Sequence, residues 1–490
     1  MKVWLPPRLL QAALPGRPGE LWLEVELSEF TNSARELKAA GARFVTLLLA
    51  TSPRPALVAV LAAYGELVVL TAPLADPAAV RYEALSSFWP AAQWPERELM
   101  ERYGSEPQGL AAAAPLMRPD PDLLDGQLDG DDVFELPFGP IRSGIFESIQ
   151  FLIETGGENL PVIRTRPFFK HRGLEQRCEG MRAQEAVLVT ERVAAIASVA
   201  HACAFAEAVE RALDVSPPPR AQSWRLVHAE LERIACHLDV IAKEAETTAL
   251  SVGQARFQIL KEEIMRLRGR LCGSRFGRGV VVPGGVRGEG LIAPGQLLNE
   301  LSRFERDFER DRKLFLRTAS MTDRLIGAGR LSRELLEEYG AVGPLARGSG
   351  LSVDARHERP YGAYRHVGVR VVTSGGGDSM ARIQVRFGEI HESLRILRQG
   401  LDRLEREGGG ELSIDLPAVE EAAALGWSEA PQGEIVTWVE LGPQGVRSVR
   451  IASPSQRNWA LFDHAFPKDV LTDFAFIEHS FGLTVAGADR

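Results

Sequence analysis

The sequence has few cysteines and lacks the short spacings that metal and redox sites use. Its four cysteines are Cys178, Cys203, Cys236 and Cys272, and no two of them form a Cys-x-x-Cys pair. Neither a zinc ribbon nor a local redox pair is therefore predicted. Widely spaced thiols in a chain without a secretory pattern are most simply buried and reduced, as in a cytosolic protein.

The sequence also lacks a long apolar run. Residues 1–20 are interrupted by prolines and do not match a signal peptide. The most apolar early region, 44–74, is interrupted by Pro53, Pro55 and Glu66, whereas a membrane-spanning helix needs about 20 apolar residues. We therefore expect any membrane association to go through partner proteins.

An excess of positive charge is absent as well. The formal net charge is −9, and binding to nucleic acid requires a basic face, so nucleic acid is not predicted as a partner. Hydrophobic residues make up 45% of the chain and charged residues 25%, which is typical of a soluble globular protein. With 490 residues, the chain is long enough for two or three domains of roughly 150 residues.

Short strand and helix patterns alternate through residues 1–105, which predicts a small α/β domain. Its last segment, Pro90–Gly104, has the pattern of an amphipathic helix that stops at Gly104. Residues 106–132 are rich in Pro, Asp, Gly and Ala and are predicted to be a linker. The predicted strands are Leu21–Leu27, Arg43–Ala50 and Glu66–Thr71, and the predicted helices are Asn32–Ala40 and Arg54–Ala63.

Residues 133–490 begin with strand patterns and become mainly helical. The run 187–213 has Ala or Val on nearly every turn and no Gly or Pro, which predicts one long buried helix. We expect an α+β fold, in which the α/β domain is followed by a helical bundle with peripheral β-strands. The other predicted strands are Phe146–Ile153, Leu160–Arg166, Gly433–Leu441 and Val446–Ile451, and the other predicted helices cover 223–246, 256–273, 294–319 and 378–405.

Ordered motifs along the chain carry a family resemblance. Pro90–Gly104 is similar to the signature of the smaller hydrophilic subunit of complex I. Residues 133–490 resemble its large hydrophilic subunit, which is homologous to the [NiFe] hydrogenase large subunit. The chain thus resembles a fusion of the two subunits, as in formate-hydrogenlyase-like and group 4 membrane-bound hydrogenases. The motifs are GPIRSGIFESIQFLIET (139–155), KHRGLEQ (170–176), TERVAAIASVAHACAFAEAVE (190–210), RAQSWRLVHAELERIACHLD (220–239), LCGSRFGRGVVVPGGV (271–286), GPLARGSGLSVDARHERPYGAY (343–364), GDSMARIQVR (377–386), APQGEI (430–435) and ASPSQRNW (452–459).

The resemblance implies a [NiFe]-hydrogenase-large-subunit-like fold and a core role in a membrane-associated oxidoreductase. The chain would lie on the cytoplasmic face of the inner membrane, between an iron–sulfur small subunit and integral membrane subunits that move ions. It would bind no cofactor itself, the iron–sulfur cluster would belong to the partner, and a quinone is a candidate ligand. Two alternatives remain open: a quinone-reducing subunit of the NADH-quinone oxidoreductase type with an altered head-group site, and a non-catalytic scaffold.

The resemblance also assigns the positions at which a hydrogenase holds nickel and iron. The family pattern ERVCxxC reads ERVAAIA at 191–197, so the first two ligand positions are Ala194 and Ala197. The second pair corresponds to Thr484 and Gly487. Such a site needs soft thiolates. The resemblance therefore implies that this chain binds no metal and is not an active [NiFe] hydrogenase by itself.

The quinone head-group site of complex I is altered in the same way. Phe146 stands where the family loop GPxHPxxHG has its hydrogen-bonding histidine, and Val189 stands at the tyrosine position. Reduction of a quinone carbonyl requires nearby proton donors. The candidate substitutes in a remaining cavity are Arg142, Glu147, His171 and Arg192.

Several ionisable positions match charges of the family, and buried charges must be paired, neutralised or hydrated. These positions are Glu175, Arg192, His201, Arg347, Asp354 and Arg356. Two interpretations are open: a proton or conformational relay from the cavity to the membrane arm, or salt bridges that hold the bundle together.

Three further ionisable residues share one predicted helix. His228 and Glu232 are i,i+4 neighbours that could contact a metal, but His237 lies off that face. This spacing favours ordinary hydrogen bonds on the helix surface.

Overall fold

The computed structural model describes residues 4–76, 80–110, 115–119, 133–142 and 147–490. Helices and strands are mixed along the chain, and the predicted α+β class is confirmed. The helices are α1 Pro7–Leu10, α2 Leu27–Ala39, α3 Gln93–Tyr103, α4 Leu174–Arg177, α5 Ala183–Thr190, α6 Ser198–Ala212, α7 Pro219–Thr247, α8 Ser251–Cys272, α9 Pro294–Leu316, α10 Ala319–Leu325, α11 Arg333–Glu338, α12 Gly343–Gly348, α13 Ala355–Glu358, α14 Ser379–Glu407, α15 Pro454–Trp459, α16 Phe474–Phe481 and α17 Val485–Asp489. The strands are β1 Ala13–Leu14, β2 Glu20–Glu24, β3 Arg43–Ala50, β4 Ala56–Ala63, β5 Glu66–Pro73, β6 Arg81–Glu83, β7 Glu106–Gln108, β8 Phe134–Phe138, β9 Gln150–Thr155, β10 Val162–Arg166, β11 Val281–Val282, β12 Gly285–Val286, β13 Ala422–Ala430, β14 Gly433–Gly442 and β15 Gly445–Ala452.

The N-terminal part of the chain forms a five-stranded sheet with the order β1-β2-β5-β4-β3. Strands β2 and β5 are parallel, and the other neighbours are antiparallel. Helix α2 packs on one face of the sheet through Phe30, Ala34 and Leu37, all fully buried. The other face is also covered, because Val58 and Val69 pack with residues of the C-terminal half.

The prediction of a helix over Arg54–Ala63 is wrong, because Ala56–Ala63 is the central strand β4. All eight of its residues are buried. A strand covered on both faces has a continuous apolar run, which periodicity cannot distinguish from a buried helix. The turn after β4 confirms the hairpin, since Tyr64 and Gly65 both have positive φ, as a two-residue type I′ turn requires.

The predicted amphipathic helix before Gly104 is confirmed as α3, and Gly104 caps its C-terminus with φ 71°. Part of the predicted linker is structured, because Glu106–Gln108 pairs with Arg81–Glu83 as a two-stranded parallel sheet. Within the same segment, 111–114 and 120–132 lie outside the described residues. The domain boundaries at 105 and 132 therefore stay predictions.

Four long helices, α7, α8, α9 and α14, build the core of the C-terminal half. The prediction of a single helix over 187–213 is wrong, since α5 and the helical run Ala195–Ala212 meet at 119°. A buried side chain from another helix explains the break. Glu232 of α7 accepts hydrogen bonds from the N–H groups of Val199 (2.8 Å) and Ala200 (3.1 Å), and so caps the first turn of α6.

A three-stranded antiparallel sheet, β13-β14-β15, packs against α6. The predicted strands Gly433–Leu441 and Val446–Ile451 correspond to β14 and β15, whereas β13 was not predicted. Gly426 of β13 allows the helix to approach closely. A Cβ there would lie 2.2 Å from the carbonyl oxygen of Ala204 and 2.3 Å from the nitrogen of Ala208.

The part of the chain before the predicted linker and the part after it, its two halves, share an apolar cluster between their sheets. Val45, Val58 and Val69 of the first sheet pack there with Trp427 and Trp438 of the second. In the part of the chain that the structure describes, no single helix is long and apolar enough to cross a membrane. One bent pair, Ala183–Thr190 with Ala195–Ala212, meets that test by length and composition only.

Candidate functional site

The four predicted ligand positions lie on two segments that meet at one arginine. Ala194 and Ala197 are buried in the turn between α5 and α6, while Thr484 and Gly487 lie at the start of α17. Arg172 joins these segments, because its guanidinium donates to two carbonyls of the turn at 2.8 Å each and to one in α17 at 3.3 Å. The structure thus brings the segments that carry the first and second pairs to one arginine, while the assignment of these positions as ligand positions stays a prediction.

The side chains at these positions do not fit a nickel–iron centre. Two are methyl groups, and the Thr484 hydroxyl accepts a hydrogen bond from the Gly487 N–H at 2.9 Å as the cap of α17. A Cβ on Gly487 would lie 2.5 Å from Thr484 Oγ1 and 3.2 Å from Ser455 Oγ. Helix capping therefore uses the space that thiolates would need. Among the described residues, no group of three or more His, Cys, Asp or Glu is placed to hold a metal ion.

Helix α17 is held in place by carboxylates on both sides. Glu147 accepts hydrogen bonds from two N–H groups in its first turn, at 2.6 and 3.3 Å. Asp489 at its end accepts the N–H groups of Phe168 and Lys170, at 2.8 Å each, and His171 Nδ1 lies 2.6 Å from the Asp489 carbonyl oxygen. Burial raises the pKa of Asp489 to about 7. Glu147 and His171, both candidates for a quinone cavity, thus serve here as anchors of α17.

Arg142 is also engaged by neighbours. It forms an ion pair with Glu478 at 2.8 Å, and its guanidinium lies 5.4 Å from the centroid of the Phe151 ring. Phe146, at the family's histidine position, lies outside the described residues. Val189 is half-buried next to the last residue of α5, and its aliphatic side chain supplies no proton donor.

The outer side of this region is basic and open. Arg172 is exposed, and the Arg192 side chain is 53% exposed. Beneath them Glu191 is buried and accepts the N–H of Gly279 at 2.7 Å. Burial raises the pKa of Glu191, and the positive charges of Arg192 and Arg287 partly offset this rise. This arrangement offers a positive face over the predicted ligand positions.

His201 lies inside α6 and not on this face. It is buried, and burial lowers its pKa to about 3, so the imidazole is neutral at pH 7. Its Nδ1 atom has no hydrogen-bond partner within the described ranges.

Glu175 belongs to a separate cluster that connects the signature helix α3 to the C-terminal residues. Its carboxylate lies 2.9 Å from Arg102 of α3 and 3.4 Å from Arg490, and it accepts the N–H of Ile451 at 2.9 Å. Arg490 also pairs with Glu98 of α3. This cluster ties the two halves of the chain together at a second place.

Arg347 and Asp354 lie at the centre of a buried ion-pair network. The Arg347 guanidinium is 2.7 Å from Glu389, 2.9 Å from Glu429 and 3.4 Å from Asp354. These guanidinium contacts help to hold the pKa of Glu389 well below its usual range. For Asp354 the corresponding contacts are with Arg356 and Arg347, and its pKa is lowered to about 2.

Arg356 extends the network toward α7. It contacts Asp354 at 2.7 Å and Glu230 at 3.0 Å. Glu230 also accepts hydrogen bonds from Ser393 at 2.6 Å and from the Tyr364 hydroxyl. The predicted residues Arg347, Asp354 and Arg356 therefore form one unit, whereas Glu175, Arg192 and His201 lie apart from it.

His237 joins this network to α14 and α16. Its Nε2 lies 2.8 Å from Glu389, and its Nδ1 lies 3.2 Å from Arg386. A nitrogen that faces a guanidinium must be the acceptor, so His237 is the neutral Nε2–H tautomer. Its pKa is lowered to about 4, chiefly by burial.

The prediction that His228, Glu232 and His237 make helix-surface hydrogen bonds is wrong, because all three side chains are buried. Helix α7 is enclosed on nearly every side. Sequence reasoning also missed four members of the network: Glu230, Arg233, Glu389 and Glu429. A signal was present, since Glu230, Arg233 and His237 follow the i, i+3, i+7 spacing of one helix face.

The sequence profile of a family described as "Respiratory-chain NADH dehydrogenase, 49 Kd subunit" matches residues 249–420. Formate hydrogenlyase subunit 5 of Escherichia coli strain K12 is 28% identical over 443 residues, which cover 84% of this chain and 77% of that protein. An NADH-quinone oxidoreductase subunit of Campylobacter curvus is 30% identical over 391 residues, which cover 72% of this chain and 94% of that protein.

A solved structure supports the fold alone. A chain of the membrane-bound sulfane sulfur reductase, an archaeal respiratory membrane complex, superposes with a TM-score of 0.68 and is 23% identical. The match covers 73% of this chain and 99% of that chain.

Proposed function

Because the chain belongs to the family of 49-kDa large subunits that complex I shares with membrane-bound hydrogenases, we propose that it couples electron transfer to ion movement. It is a hydrophilic subunit of a membrane-associated oxidoreductase complex, with membrane subunits as partners. In this proposal electrons arrive at the open basic face from an iron–sulfur small subunit, and the membrane arm translocates ions. The complex would place this chain on the cytoplasmic face of the inner membrane.

One observation supports the proposal: hydrogen bonds and ion pairs run from the buried network to the segment just before the predicted ligand position Thr484. Arg386 of α14 donates a hydrogen bond to the carbonyl of Phe481 at 2.8 Å, three residues before Thr484. The same guanidinium contacts His237, which contacts Glu389 and, through it, Arg347. A change of charge at the site therefore acts on a segment that the network holds directly.

In this proposal the residues at the two ends of the path have different roles. Arg172, exposed at the outer end, can stabilise negative charge that develops on a nearby acceptor. Glu389 and Arg347, at the inner end, hold charges that respond to any movement of Arg386. Nickel takes no part in the proposed path, because the four residues at the predicted ligand positions supply no thiolate.

The test uses the whole complex, purified through an affinity tag on this chain and reconstituted in vesicles. Reduced viologen supplies electrons, cluster reduction is followed by electron paramagnetic resonance, and ion uptake is followed with a fluorescent dye. Arg386→Met is expected to retain cluster reduction and to lower the number of ions taken up per electron. The matched control is Arg182→Gln, an exposed arginine paired only locally with Glu185.

The outcomes separate the proposal from its alternatives. An unchanged ion-to-electron ratio in Arg386→Met would contradict the proposed path. Cluster reduction without ion uptake in the unaltered complex would support the scaffold alternative. Saturable binding of a short-chain quinone that is lost in Arg142→Gln or His171→Gln would support the quinone-reducing alternative, and stoichiometric nickel in the complex would overturn the assignment of the ligand positions.

A further inference from the structure

A cavity lies between α6, α7, β13 and the 3-10 turn Gly362–His366, away from the predicted ligand positions. Its volume is about 110 Å³, and liquid water occupies about 30 Å³ per molecule, so several waters fit. Glu207 and Arg365 line it together with Tyr361 and Glu429. Glu207 is half-buried, whereas Glu429 is buried and belongs to the ion-pair network. The cavity is therefore lined by one partly accessible acidic residue and one buried one. The two Glu429 carboxylate oxygens accept hydrogen bonds from Arg347 at 2.9 Å and from the Ala355 N–H at 3.0 Å.

The network that Glu429 belongs to carries an unequal number of opposite charges. Within direct contact distance four carboxyls meet three guanidiniums, and His237 between them is neutral. Arg386 lies beyond His237, in the field of a further buried carboxyl, Glu244. One excess negative charge among these directly contacting buried groups is costly and favours the uptake of a proton. Three further guanidiniums, of Arg43, Arg359 and Arg457, act on Glu429 from a longer distance and are themselves paired with Glu434. The carboxyls are Glu230, Asp354, Glu389 and Glu429, and the guanidiniums belong to Arg233, Arg347 and Arg356.

Glu429 is the member of this set best placed to hold the proton. Burial and the neighbouring Asp354 raise its pKa, while the pKa values of Glu230, Asp354 and Glu389 are lowered. Of the four carboxyls, it is also the one that lines the cavity. Next to it the Tyr361 hydroxyl accepts the Glu429 N–H at 2.9 Å, which leaves its own hydrogen free to donate.

At the outer end, Glu207 makes no hydrogen bond or ion pair within the described ranges. The charged groups that face it are largely satisfied elsewhere: Arg211 pairs with Glu20, and Arg225 with Glu210. Arg365 and the Cys203 thiol complete its surroundings. Burial raises the pKa of Glu207 to about 7, which suits a group that exchanges protons with water at neutral pH.

We propose that this cavity is a proton-uptake site, in which Glu207 takes protons from bulk water and passes them through cavity waters to Glu429. Each transfer breaks one O–H bond at Glu207 and forms one at Glu429, and Glu207 is reprotonated from solvent. The net change is one bound proton, and no electron moves. The site operates in the full chain with or without its partners, so it does not depend on the proposed electron-transfer role.

The experiment is infrared spectroscopy of the full chain at neutral pH, which detects the C=O stretch of a protonated carboxylic acid. Glu207, Glu244 and Asp489 also have raised pKa values and contribute to this absorption, so the Glu429 component is read from the difference between the parent and variant spectra. Glu429→Gln is expected to remove this component. Glu207→Gln is expected to retain it and to slow its hydrogen–deuterium exchange by about a hundredfold, the lower range for a positioned proton donor. Ala229→Leu, which narrows the cavity, should slow the exchange in the same way, whereas Glu246→Gln, an exposed carboxyl of α7, should leave it unchanged.

Two results would overturn the proposal: a difference spectrum between parent and Glu429→Gln that contains no C=O component, or exchange of that component in Glu207→Gln as fast as in the unaltered chain. If Glu429→Gln does not fold, Glu429→Asp replaces it. That variant keeps an acid and should shift the band without removing it, so an unmoved band would also refute the assignment.

Discussion

Removal of the Arg347 guanidinium is the sharpest test of the buried network. Arg347→Leu replaces the guanidinium with a shorter apolar side chain and leaves Glu389, Glu429 and Asp354 without their shared partner. Breaking a buried ion pair by removing one partner typically costs about 3–5 kcal/mol. With an unfolding entropy of about 2.1 cal/mol/K per residue, a chain of 490 residues should lose roughly 3–5 °C in Tm.

Calorimetry at several pH values checks the origin of the loss. The pKa of Asp354 is lowered to about 2, and that of Glu389 is also lowered. The two carboxylates therefore add to the free energy of unfolding above pH ~4, and this addition is lost toward pH 2. In Arg347→Leu that contribution is missing. The difference in Tm between variant and parent should therefore be largest near neutral pH and should shrink below pH ~4.

The matched control is an exposed pair of the same type. Arg333→Leu removes a partner of Glu337, at 2.8 Å in an i,i+4 pair on the surface, and should cost less than about 0.5 kcal/mol. If the two variants lose the same stability at pH 7, or if the loss in Arg347→Leu does not depend on pH, the network does not stabilise the bundle.

Three further predictions concern packing, capping and docking. Gly426→Ala should destabilise the chain by at least about 3 kcal/mol in calorimetry, because the new Cβ meets the backbone of α6, whereas Gly410→Ala, with open space around it, should not. Glu232→Ala should cost about 1–2 kcal/mol through the lost cap of α6, and Glu232→Gln should cost less; equal losses would contradict the capping role. Because the pKa of Asp489 is raised to about 7, docking of α17 should weaken as pH rises from about 4 to 7. Hydrogen exchange at the Phe168 amide should therefore show a smaller protection factor at pH 7 than at pH 5. Equal protection factors at the two pH values would refute this.

Local sequence could predict elements that end at a stop or turn residue, and these include the fully buried strand β14 between Gly433 and Gly442. Helix α3 ends at Gly104 as predicted, because a left-handed cap requires glycine. Strand β4 was misassigned because both of its faces are buried, so no alternation of polar and apolar residues remains. The break before α6 could not be predicted, since the carboxylate that caps its first turn, Glu232, comes from another helix.

The candidate site, like the fold, could be predicted from the sequence only in part. The four ligand positions follow from motifs at both ends of the chain and stay a prediction; the structure shows that the two segments that carry them both contact Arg172. Sequence alone could not predict that Glu147 and His171 are engaged by α17, since that depends on contacts across more than 300 positions. The network partners of Arg347 were missed for the same reason.

The apolar cluster between the two sheets has a consequence for how such proteins are made. Val58 and Val69 on one side and Trp427 and Trp438 on the other would be exposed to water if the halves separated. The ion pairs to Glu434 and Glu175 reinforce the same association. If the two parts were encoded as separate polypeptides, this shared surface would be the one through which they associate, and joining them in one gene fixes their ratio.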